Sequence, residues 1–176
     1  MTPELAQEAI ITGASGFYRL QERTIWGDGP VLGYFTTPYS SVALAAALDR
    51  KRDTPFTPAD VTPDMLRPEL HVYATSQAVY GNKNRIANVK TVAVRPYQSK
   101  DRTAALQPAR TEAGTDDVWN LMGAPANGRK MMAVFPLSAL NEANEIRVVF
   151  DRHVPGSSEI KGCTDCGARF SLDKVR

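Results

Sequence analysis

Two thiols stand at a spacing that does chemistry: Cys163-Thr164-Asp165-Cys166-Gly167. They are the only cysteines in 176 residues, which excludes a disulfide-dense scaffold and leaves the pair to act locally. Three chemistries fit. In an oxidising compartment the plainest is a local disulfide between Cys163 and Cys166. A structural zinc or iron site needs four ligands, so His153, His71, an acidic residue or a second chain would have to complete the set. No cofactor is assigned; the alternative is zinc held by Cys163, Cys166 and His153, set against a disulfide or inert thiols. A redox dithiol needs the pair to open a helix that lowers a thiolate pKa. Gly167 and Phe170-Ser171-Leu172 read instead as a turn followed by a short strand.

The Cys-x-x-Cys-Gly turn resembles half of a rubredoxin-type or zinc-ribbon knuckle, in which turn amides support the thiolates. The other chemistry-bearing residues are sparse. His71 and His153 are the only histidines, and a catalytic role for either would require an activated hydroxyl or a perturbed acid beside it. Thr12-Gly13-Ala14-Ser15-Gly16 looks like the phosphate turn of short-chain dehydrogenases. That turn needs a preceding strand, a following helix and a third glycine where Arg19 stands. The matching Tyr-x-x-x-Lys is missing too, since Asp101 stands four residues after Tyr97. No Gly-x-Ser-x-Gly elbow, Walker loop, EF-hand loop or His-Glu-x-x-His occurs. No catalytic residue is therefore assigned.

Net charge is +2, unevenly spread: residues 83–130 hold nine basic and four acidic groups, whereas residues 1–82 hold six and nine. Only Tyr97 and Trp119 interleave with the basic stretch, too few for a single-strand nucleic-acid platform. No apolar run is long enough to span a bilayer. The N-terminus lacks a basic region followed by an apolar core, so no leader is expected within the chain, although one removed upstream is compatible with it.

The elements that must position these residues follow from period and punctuation. Pro3 to Ile11 carries first-turn proline and acidic residues and reads as a helix, ended by Gly13 and Gly16. Residues 17–36 read as a hairpin of short strands about Gly27-Asp28-Gly29-Pro30. Thr37-Pro38 caps a helix to Arg52, and Thr57-Pro58 and Thr62-Pro63 each start one turn. From Leu70 the period becomes two. Strands are expected at 70–75, at 89–95 closed by Pro96, at 130–135 ended by Pro136, and at 144–151, with His153 just beyond. Leu137 and Leu140 should tuck beneath the sheet as a one-turn cap on a sheet-to-sheet crossing. Lys100 to Gly128 reads as one long polar loop, with a helical turn over 116–122 that buries Trp119.

The fold class expected is mainly β: an antiparallel sandwich, immunoglobulin-like or Greek-key, at 68–152. An N-terminal helical and irregular region, 1–67, packs on it, and a C-terminal extension, 153–176, carries the cysteine turn. An α+β layer is the alternative. In its strand pattern, 68–152 is similar to the immunoglobulin-like sandwiches of secreted or lipid-anchored bacterial envelope proteins. Strand-rich patterning, the absent catalytic set and the long loop 100–128 lead to the expectation of a non-enzymatic binding or structural module that uses loops at one end of the sandwich, exported to the periplasm or beyond, with a protein or envelope component as partner. A metal-binding protein built on Cys163 and Cys166, and an enzyme built on His71 or His153, are the alternatives.

Overall fold

A computed structural model describes residues 1–15, 25–28, 31–50, 55–76, 88–98, 101–102, 105–116, 128–140, 143, 145–153 and 169–171. Helix α1 is Pro3–Ala14. Strands β1 (Ile25–Asp28) and β2 (Val31–Thr36) follow, then helix α2 (Pro38–Arg50). Strands β3 (Glu69–Ser76), β4 (Asn88–Gln98), β5 (Asp101–Arg102), β6 (Arg110–Asp116), β7 (Gly128–Pro136), β8 (Glu145–His153) and β9 (Arg169–Ser171) complete the set. Thr57-Pro58 and Thr62-Pro63 open single 3-10 turns, Pro58–Asp60 and Pro63–Leu66. In the first, Asp60 Oδ2 accepts from the Thr57 amide at 2.8 Å and from its hydroxyl at 2.6 Å, so the turn is closed by its own side chains.

The strands form two antiparallel sheets, ordered β1-β2-β3-β7-β6 and β5-β4-β8-β9. The fold is α+β, antiparallel sheets with helices, and neither sheet closes on itself. The β1–β2 hairpin, with Asp28 opposite Val31, joins the first sheet through β2 and β3 (Phe35 opposite Val72) rather than lying over it.

Alternation along β3 sends Leu70, Val72 and Ala74 inward, all fully buried. They pack with Phe35, Ala133, Phe135, Leu140, Ala143, Ile146 and Val148, so one core draws on strands of both sheets. Between β7 and β8 the chain passes from one sheet to the other through the turn Leu137–Leu140. Leu140 is buried there and Leu137 packs on the core, as the spacing of these leucines predicts.

A second, smaller core is helical: Ala9 and Ile10 of α1 meet Val42, Ala43 and Ala46 of α2, flanked by Phe56, Val61 and Met65. Helix α2 starts where Thr37-Pro38 predicts. The Ser40 hydroxyl accepts from the Thr37 amide at 2.7 Å, and the Thr37 hydroxyl accepts from the Ser40 amide at 3.3 Å. Tyr39 ties the helices together, its hydroxyl 3.0 Å from the Thr12 hydroxyl and donating to Glu8 Oε1 at 3.3 Å.

Four local expectations change. Helix α1 does not end at Gly13 but runs through it, because the glycine lets α1 approach the backbone of α2. This also places Thr12 and Gly13 in a helix, where a phosphate turn needs a strand before it. Strand β4 continues through Pro96, opposite Ile146. The missing amide is tolerated because β5 covers only Tyr97 and Gln98, leaving β4 unpaired on that side at Pro96 among the described residues. The loop expected at 100–128 contains β5 and β6; its helical turn at Trp119 falls outside the described residues. His153 is the last residue of β8, opposite Asn88, rather than just past the strand.

A Cβ at Gly13 would strike the Ala43 carbonyl oxygen and lie 2.9 Å from Ala46 Cβ. Gly13→Ala is expected to destabilise the chain by about 2–3 kcal/mol, despite alanine's higher helix propensity. Urea unfolding followed at 222 nm checks this; a neutral or stabilising effect would mean the helices do not pack this closely.

Candidate functional site

The face of the first sheet opposite the core carries the described residues most suited to recognition. Since Leu70, Val72 and Ala74 point inward, Glu69, His71 and Tyr73 point outward. Register then fixes their neighbours. One row across four strands runs Thr36, His71, Val134, Arg110, and the next runs Tyr34, Tyr73, Met132, Glu112.

The polar groups of the first row are joined. His71 Nε2 donates to Glu69 Oε2 at 3.0 Å, and the same oxygen lies 3.4 Å from an Arg110 guanidinium nitrogen. A carboxylate only accepts, so the proton of this contact sits on Nε2. Arg110 Nε also donates to Glu112 Oε1 at 3.4 Å. Glu69 and Arg110 belong to β3 and β6, which β7 separates, so their ion pair passes over β7. Val134 of β7, between His71 and Arg110 in register, is only 1% exposed. An apolar side chain on this face thus lies, in register, between the two ends of the polar strap.

In the second row Tyr34 and Tyr73, directly opposed, stack with centroids 4.4 Å apart and planes 14° from parallel. His71 meets Tyr73 edge-on at 6.4 Å. Cross-strand aromatic pairs of this kind stabilise a sheet and present a rigid apolar surface.

Two of these groups, Glu69 and Tyr73, are shifted by their surroundings. The Glu69 carboxyl lies below its ordinary value, first because His71 donates to it and then because Arg110, His71 and Arg67 surround it with positive charge; partial burial opposes this. The Tyr73 hydroxyl is pushed up, chiefly by burial and further by the Glu112 charge, against a hydrogen bond with Thr36. At neutral pH Glu69 is therefore anionic and Tyr73 neutral. A general acid needs a carboxyl raised towards neutrality, and Glu69 is displaced the other way. The arrangement suits hydrogen bonding and stacking better than proton transfer.

Of the residues singled out from sequence, His71 alone enters this cluster. His153 ends β8 of the other sheet. Cys163 and Cys166 lie outside the described residues, so the zinc and disulfide expectations fall there too. Arg110 and Glu112 sit where sequence reasoning placed a loop, and Tyr34 counted only as part of a hairpin. The detectable signal was the parity of His71 and Tyr73 in β3; the partners on β2 and β6 depend on which strands become neighbours. Comparison with protein families, characterised proteins and solved structures yields no match.

Because the Glu69 carboxyl is lower folded than unfolded, its stabilisation is complete above the unfolded value and lost as pH falls through the folded one. Glu69→Gln is expected to cost about 1 kcal/mol at pH 7, a figure suited to a half-buried charge-assisted hydrogen bond. The gap between variant and parent should close below pH 4.5, the ordinary glutamate value. Thermal melts of both proteins from neutral to acidic pH test this, and a pH-independent difference would remove the ion pair as its cause.

Proposed function

We propose that this chain is a non-enzymatic binding module whose recognition surface is the outer face of β2, β3, β7 and β6. One observation carries the proposal: a rigid Tyr34–Tyr73 stack lies in register beside the His71–Glu69–Arg110 strap on a single sheet face. Aromatic rings with few side-chain torsions, next to an arginine, are the residue types that dominate binding energy at protein interfaces. Their order before binding lowers the entropic cost of association.

In this reading the two sheets face each other as a sandwich, supported by the core that β2, β3, β7 and β8 share and by the crossing at Leu137–Leu140. The partner is a protein or envelope component, and the module works outside the cytoplasm, in keeping with its likeness in strand pattern to envelope sandwiches. Among the described residues no helix is long and apolar enough to cross a membrane.

The test compares immobilised wild-type chain with a Tyr34→Ala/Arg110→Ala variant in envelope and cytosolic extracts. Retention of one envelope partner by the wild type, reduced at least tenfold in a variant of unchanged circular dichroism, is expected. Turnover of a small ester or phosphomonoester by the purified wild type, lost in His71→Ala, would replace this reading with an enzymatic one.

A further inference from the structure

We propose that two copies of this chain associate edge to edge through β6, joining their first sheets into one antiparallel sheet. The inference stands independently of the recognition reading. Strand β6 bounds its sheet, and among the described residues no strand lies beyond it. Residues 110–113 are all exposed. An edge strand presents a row of amide and carbonyl groups that its single neighbour leaves unbonded. The other edges are short: β1 has four residues, β5 two and β9 three, against seven in β6.

Charged residues on an edge usually prevent pairing. Here they permit one register. A two-fold axis perpendicular to the sheet keeps equivalent faces together, so opposed residues must have the same parity and the axis must pass through one residue. Centred on Ala113, the pairing uses all seven residues of β6. Arg110 then stands opposite Asp116 of the second copy at both ends, Thr111 opposite Thr115, Glu112 opposite Gly114, and Ala113 opposite its equivalent. No like charges meet, and two unlike pairs form. Centred on Glu112, the axis would oppose Glu112 to itself; centred on Gly114, it would oppose Glu112 to Asp116. Both are repulsive across a strand pair. Centring on Thr111 or Thr115 leaves three residues paired on each strand.

Arg110 is not consumed by its internal contacts. Its guanidinium has five donors, its contacts to Glu69 and Glu112 are both 3.4 Å, and its side chain is 43% exposed. The fused sheet would set the two Tyr34–Tyr73 faces on the same side, doubling the presented surface.

A single strand pair buries little area, so association should be weak and is best followed from about 10 to about 500 µM. Sedimentation equilibrium of the whole chain is expected to show the average mass climbing from 19.2 kDa towards twice that value. Asp116→Arg, which sets two cations opposite each other, should remain monomeric, as should Arg110→Asp. The exchanged pair Arg110→Asp/Asp116→Arg should regain at least half the wild-type dimer. Amide exchange across 110–116 in the wild type should slow with concentration, a readout that needs no variant. A monomer at every concentration overturns the proposal. So does a dimer indifferent to Asp116→Arg, failure of the charge exchange in a folded double variant, or amide exchange unaffected by concentration.

Discussion

Burial of one side of β3 is the constraint on which the rest of this structure hangs. Leu70, Val72 and Ala74 have no solvent exposure, and each is held opposite an inward residue on both flanking strands or on β7. A slip of one residue would drive Glu69, His71 and Tyr73 into the core, where an ionised carboxylate without compensating partners is far too costly. Register along β2, β3 and β7 is thereby determined, and with it the content of the opposite face. The stacked tyrosines and the His71–Glu69–Arg110 strap are consequences of packing on the other side.

That outer face is organised by opposing requirements. Val134 is apolar on the outward side and has to be covered, while Glu69 has to remain charged. Arg110 of β6 reaches Glu69 of β3 across β7 and sets a positive charge beside the carboxylate. Surface ion pairs between exposed side chains contribute little by themselves. This one is less exposed at Glu69 and carries an imidazole on the same oxygen, so its geometry is more tightly determined than that of a solvated pair.

The helices form a separate small core. Alanines at 43 and 46 and the glycine at 13 bring α1 and α2 together at close range, and Tyr39 adds polar contacts across the pair. Chain continuity from β2 into α2 joins the helices to the sheet, and buried Thr36, Thr37 and Ser40 occupy the join. A fold with two modest cores depends on each being well packed, since neither buries enough area to absorb a large cavity.

Local signals sufficed for the elements whose pattern is internal to them. Thr37-Pro38 announced α2, alternation announced β3, β7 and β8, and Leu137 with Leu140 announced the turn between sheets; all depend on residues close in sequence. Strand β6 was hidden because Arg110-Thr111-Glu112-Ala113 buries no side and shows no apolar period. It becomes a strand only because β7 offers a ladder. For the same reason the His71 environment was half visible. Parity placed His71 and Tyr73 together, whereas Tyr34, Arg110 and Glu112 arrive from strands far away in the chain. For α2, β3, β7 and β8 sequence by itself determined the element and, where a period shows, its inward residues, since hydrophobic period is a local property. Which strands become neighbours was decided by tertiary structure, because pairing is chosen by the fit of whole faces, and the candidate site exists only at that level.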